Sequence, residues 1–237
     1  MPNPLAEYRL FCFPYAGGSA GVFRAWQRYL PQNIELCPIE LPGRGTRFSE
    51  APLTSIEELV KAIAYGILPL LDRPFAFFGH SMGAWVSFEL TRWLRQEYNL
   101  QPIHLFLSAR RAPQIPALVP PIHVLPDAEF IEQIRLYNGM NPALLEDAEF
   151  MELILPVLRA DFTVLETYTY RQQKPLECPI TAFGGWQDGD TSGESLQAWQ
   201  IHSNRSFLLQ MFPGDHFFLD SARPSLISAI TEQINRQ

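Results

Sequence analysis

Cysteine is scarce in this chain of 237 residues: there are three, Cys12, Cys37 and Cys178. The number is odd, no two form a C-x-x-C pair, and each lies in an apolar, strand-like context. No disulfide framework is expected, and the thiols read as buried groups of a reducing compartment. Histidine is also sparse, five residues scattered without zinc-ligand spacing, so neither a metal nor a cofactor is expected. No apolar stretch approaches the roughly 18 residues that span a bilayer. The opening Met1 to Arg9 lacks a basic region followed by an apolar one, so no signal peptide is expected and the location reads as cytoplasmic. Positive charge is short as well. Eighteen Lys and Arg against 25 Asp and Glu leave a net charge of −7, with no basic run. A nucleic-acid partner needs a basic face, so none is expected.

What is present suits a single globular domain over residues 1–237, with 47% hydrophobic and 18% charged residues and length enough for a substantial core. A monomer is the default expectation. Short apolar runs alternate with helical patterns. Arg9–Pro14 and Ile34–Ile39 read as strands, with Val22, Phe23, Trp26 and Leu30 on one helical face between them. Ser55 and Glu58 have capping-box spacing, and Ile56, Leu59, Val60, Ile63, Ile67 and Leu71 repeat behind them at helix spacing. Phe75–Phe78 is a continuous apolar run, typical of a central strand buried on both faces. A helix over Ala84–Leu94 and a strand over Ile103–Leu107 follow. This rhythm predicts a mostly parallel α/β sheet with helices on both faces.

The middle breaks the rhythm. From Pro113 to Pro126 the chain is proline-rich, and from Asp127 to Tyr170 it is helical without a convincing strand. A helical insertion over approximately 114–172 is expected. Alternation then resumes with a strand at Pro179–Phe183, a short helix at Ser192–Trp199, a strand at Ser206–Phe212 and a closing helix at Arg223–Asn235.

Gly79-His80-Ser81-Met82-Gly83 is G-x-S-x-G, placed directly after the buried strand and before a helix. Chance alone yields the pattern in roughly one chain of this length in ten; the strand-turn-helix context gives it weight. At such a turn a serine hydroxyl stands clear of the sheet, small neighbours are required, and helix N–H groups point at developing negative charge. A nucleophilic serine needs a base, and the base needs an orienting carboxylate. Asp188 and His216 follow later strands in the order this arrangement takes. Asp190 is a near rival to Asp188; His80 adjoins the nucleophile but reads as pointing elsewhere on the elbow, and His104, His123 and His202 read as structural or solvated. The glycine-rich loop Pro14-Tyr15-Ala16-Gly17-Gly18 would supply the Ala16 N–H, with that of Met82, as an oxyanion hole.

With these motifs placed, the chain resembles the type II thioesterases, free-standing editing hydrolases of nonribosomal peptide and polyketide synthases. The likeness covers nearly the whole chain: Leu10–Pro14 with Ala16–Ser19, Leu41-Pro42-Gly43-Arg44-Gly45, the serine motif, and Arg110-Arg111-Ala112-Pro113. It continues through Leu158-Arg159-Ala160-Asp161-Phe162, Gly184-Gly185 before Asp188, and Gly214-Asp215-His216-Phe217-Phe218. Tyr15 departs from the family, where many members carry histidine, and so does Gly189-Asp190. The resemblance implies an α/β-hydrolase fold, a helical lid, and a triad of Ser81, Asp188 and His216. It also implies hydrolysis of acyl or aminoacyl thioesters from the phosphopantetheine arm of carrier proteins. Carrier proteins are usually acidic, so contact with this acidic chain would be local, through apolar lid surface or arginines such as Arg24, Arg28, Arg110 and Arg111. Other readings are a product-releasing or acyl-transferring thioesterase, an oxygen-ester esterase, and a binding protein on a hydrolase scaffold.

Overall fold

The computed structural model describes residues 3, 5–117, 119–137, 139 and 142–236. Six strands form one sheet: β1 (Tyr8–Phe13), β2 (Ile34–Pro38), β3 (Phe75–His80), β4 (His104–Ser108), β5 (Ile180–Gly185) and β6 (Phe207–Phe212). Their order is β2-β1-β3-β4-β5-β6, and every pairing is parallel. The alternating rhythm of the sequence therefore corresponds to strand-helix-strand crossovers, which parallel strands require.

Alternate residues of β3 serve opposite faces of the sheet. Phe75 and Phe77 join the core beneath α1 (Ile56–Ile67) and α2 (Met82–Tyr98). Ala76 and Phe78 join a second core with Phe23, Trp26 and the apolar side of the last helix, through Ile227 and Ile230. This is why the run is continuously apolar: both faces are covered. The Phe11 and Phe77 rings meet edge-on at 5.8 Å on one face, and Trp26 packs on Phe78 at 4.8 Å on the other.

Several boundaries differ from the sequence expectation. The segment around Trp26 is a 3₁₀ helix, Ala20–Arg28, rather than an α-helix. Its apolar residues three apart suit either helix, so spacing does not choose between them. Ser55 accepts the Glu58 N–H at 3.2 Å, as its N-cap spacing predicts. α1 ends at Ile67 and continues as a 3₁₀ turn, Leu68–Leu70, where Pro69 follows. α2 begins two residues earlier than expected and ends at Asn99 in the left-handed conformation, φ 53°.

Between β4 and β5 the chain leaves the sheet. It forms α3 (Asp127–Leu136), α4 (Pro142–Leu145) and α5 (Ala148–Thr167), with Pro156 inside the last. Ile122, Phe130, Ile134, Met151, Leu158 and Phe162 make a third apolar cluster there. The chain closes with α6 (Gly193–Gln197), α7 (Phe218–Ser221) and α8 (Arg223–Ile234).

Candidate active site

The serine of the turn holds a backbone shape that few residues with a side chain adopt. Ser81 has φ 52° and ψ −113°, between β3 and α2. The flanking glycines permit it. A Cβ on Gly79 would lie 2.1 Å from the Gly83 carbonyl oxygen, and one on Gly83 would lie 2.2 Å from that of Phe13. Nothing larger than glycine fits either position. The Ser81 N–H donates to the Ser108 carbonyl of β4 at 2.8 Å, which fastens the turn to the neighbouring strand. α2 starts at Met82, so its positive end lies beside Ser81.

Asp188 follows β5 and His216 follows β6. His216 Nδ1 and Asp188 Oδ2 are 2.9 Å apart, and the Asp188 side chain is fully buried. Its other oxygen accepts the N–H groups of Asp190 at 2.9 Å and Thr191 at 3.2 Å. The structure thus separates the two carboxylates that the sequence left open: Asp188 contacts the histidine, and exposed Asp190 supports it through the backbone. With Nδ1 donating to Asp188, Nε2 is left able to accept a proton. Ser81 and His216 line one cavity of about 420 Å³. The Ser81 hydroxyl makes no hydrogen bond with a described residue, so it is unengaged on that wall. The Nδ1 bond also accounts for the one grouping of possible metal ligands among the described residues, Asp188, Asp190 and His216. The oxygens of Asp188 and Nδ1 of His216 are already engaged.

His80 has a part that sequence reasoning missed. Its ring is fully buried, with Nδ1 2.9 Å from Ser108 Oγ and Nε2 2.9 Å from the His216 carbonyl oxygen. A carbonyl only accepts, so Nε2 carries the hydrogen and Nδ1 accepts from the serine hydroxyl. Burial, reinforced by nearby His216, holds the His80 pKa well below its ordinary 6.5, so the ring is neutral. His80 therefore ties the end of β3 to the backbone of the His216 loop.

The glycine loop after β1 is braced from two sides. Gly18 donates to the Tyr15 carbonyl at 2.9 Å, and Gly17 donates to Asp161 Oδ2 of α5 at 2.7 Å. Arg44 meets the same carboxylate at 2.6 and 2.8 Å and also reaches the Gly18 carbonyl at 3.3 Å. The Ala16 and Met82 N–H groups donate to no described acceptor, which leaves them free for a ligand oxygen. Arg110 and Arg111 are half-buried and line the cavity, whereas Arg24 and Arg28 are exposed.

A family model described as "Thioesterase domain" matches residues 8–234. The chain belongs to the thioesterase domain family. The thioesterase is 49% identical over 232 residues to gramicidin S biosynthesis protein GrsT of Aneurinibacillus migulanus, covering 98% of this chain and 91% of that protein. Among solved structures it is similar to the RedJ thioesterase from the prodiginine biosynthetic pathway of Streptomyces coelicolor. Identity there is 37%, the TM-score is 0.91, and the match covers 98% of this chain and 92% of that one. YbtT, a type II thioesterase from the yersiniabactin pathway, matches at 32% identity and a TM-score of 0.88, covering 99% and 95%. The sheet and its helices are those of the α/β-hydrolase fold that these neighbours share.

Proposed function

We propose that this thioesterase hydrolyses short acyl and aminoacyl thioesters from the phosphopantetheine arm of carrier proteins in a peptide or polyketide synthase, clearing misprimed or stalled chains. The observation that carries the reading is the buried Asp188–His216 pair on the same cavity as Ser81, in a chain similar to GrsT over nearly its full length. Asp188 holds the His216 tautomer, His216 Nε2 takes the Ser81 proton, and Oγ attacks the thioester carbonyl. The N–H groups of Ala16 and Met82 receive the oxyanion. The carbon–sulfur bond then breaks and the thiol leaves with a proton from His216. Water, activated by the same ring, hydrolyses the acyl-serine.

No cofactor enters this sequence, and the protein would act in the cytoplasm. The helical segment at approximately 114–172 serves as a lid over the cavity. A volume of about 420 Å³ suits a short acyl group with part of its arm.

The test is release of free acid from a panel of acyl-phosphopantetheinyl carrier proteins, wild type beside Ser81→Ala. Broad, serine-dependent release of short groups is expected. Turnover by the variant above a few per cent of wild type would remove Ser81 as nucleophile. Serine-dependent activity confined to oxygen esters would remove the carrier-protein reading.

A further inference from the structure

The cavity contains a charge that the hydrolytic relay does not use. Arg110 lies two residues past Ser108, whose carbonyl takes the Ser81 N–H, and it lines the same cavity as Ser81. Its guanidinium lies 3.8 Å from the ring centre of Trp85. That indole is buried and pinned by its Nε1–H, which donates to the Arg111 carbonyl at 3.0 Å. The Arg110 carbonyl in turn accepts the Trp199 Nε1–H at 2.8 Å. Backbone and side chain are both held.

No N–H of this guanidinium reaches an acceptor among the described residues, and its Nε is buried without a partner. Burial, with neighbouring Arg111, pushes its pKa down to about 9, which leaves it cationic at neutral pH. Arg111 lines the same cavity, lies 4.9 Å over the same indole, and donates its Nε to the Ile115 carbonyl at 3.0 Å. The acids nearby are otherwise engaged. Asp188 holds His216, Asp161 holds Arg44, and Glu166 accepts from His123 and from the N–H of Ile122. Asp190 is exposed on the wall and forms no ion pair with Arg110. A stacked, unpaired guanidinium presents a fixed fork whose natural complement is an oxyanion.

We propose that Arg110, with Arg111 beside it, forms a subsite for an anionic oxygen group of the substrate, either a carboxylate borne by the acyl chain or the phosphodiester of the arm. The assignment rests on the thioesterase reading and refines its substrate class. A place in the same cavity as Ser81 favours the acyl carboxylate, because the phosphate lies a whole pantetheine arm from the reacting carbonyl.

The experiment compares wild type, Arg110→Gln and Arg110→Lys on acetyl and succinyl N-acetylcysteamine thioesters, which lack phosphate, and on acetyl phosphopantetheine. With an acyl-carboxylate subsite, the succinyl-to-acetyl ratio of kcat/KM falls roughly tenfold or more in Arg110→Gln and partly recovers in Arg110→Lys. With a phosphate subsite, the loss falls instead on acetyl phosphopantetheine relative to the phosphate-free acetyl thioester. Unchanged ratios in both comparisons overturn the proposal. Calorimetric titration of Ser81→Ala, with and without Arg110→Gln, by succinate and by phosphopantetheine reads the same subsite without turnover. Arg110-dependent binding in an enzyme that cleaves no thioester would keep the subsite and reject the thioesterase reading; ligand binding indifferent to Arg110 would count against the subsite.

Discussion

Arg44 grips both carboxylate oxygens of Asp161, at 2.6 and 2.8 Å, although 117 positions separate them in the chain. Neither side chain is more than 4% exposed. One of these two oxygens, Asp161 Oδ2, also takes the Gly17 N–H, so a helix outside the sheet sets the shape of the loop that carries Ala16.

Removing one partner of such a pair leaves an uncompensated buried charge, which costs about 3–5 kcal/mol. Asp161→Asn should therefore lower the melting temperature, and it should depress kcat more than it raises KM. In the double variant Arg44→Met, Asp161→Leu the buried charge is gone and stability should largely return, but Gly17 still lacks its acceptor. Recovery of full kcat by the double variant would show that the pair serves stability alone.

The two neighbouring aspartates should behave very differently. Asp188→Asn removes the acceptor that fixes the His216 tautomer, and kcat should fall by roughly three to four orders of magnitude. Asp190 contributes its backbone N–H, which Asp190→Asn preserves, so that variant should stay within about threefold of wild type. Comparable losses in the two would reassign the orienting acid.

Acid should unfold this protein through its histidines. Burial holds His80 well below 6.5 and brings His104 and His202 down to about 4, the last helped by nearby Arg92. Below the unfolded pKa near 6.5, the unfolded chain takes up protons that the folded chain refuses. Stability is thus full above that pH and declines as pH falls toward 4, with a slope approaching about 1.4 kcal/mol per pH unit for each histidine. His104→Gln should flatten part of the decline in thermal melts between pH 6.5 and 4. A melting temperature constant across that window would contradict the assignment.

The thiols should be inert while the fold lasts. Burial raises Cys12 well above its ordinary value and brings Cys37 and Cys178 to about 12. Iodoacetamide at pH 8 should label none of them in the native protein and all three in denaturant. Rapid labelling of native Cys37, the most exposed of the three, would mean that its strand opens readily.

How far the sequence could be read depended on how far apart the partners lie. Ser81 between two glycines and the continuous run at Phe75–Phe78 are local patterns, and each names its own structure. The order of Ser81, Asp188 and His216 carried the next step, because parallel strands deliver successive loops to one end of the sheet. The tie that His80 makes was not legible because its partner is the backbone carbonyl of His216, which leaves no mark in residue type. Arg44 and Asp161 stood in two motifs of the family resemblance, yet nothing in either motif says that they touch. Arg110 read as a surface cation because only the packing of Trp85 draws it inward.

The uniform direction of the six strands divides the molecule into a working rim and an idle one. Loops leaving the strands carry Ser81, Arg110, Asp188 and His216, whereas those entering them, at 71–74, 99–103 and 203–206, carry none of these groups. A fluorophore or an affinity handle placed at the entering loops would sit a full strand length away from the chemistry. That gives the far side of the sheet a practical use as the place from which this protein can be observed or immobilised while it turns over.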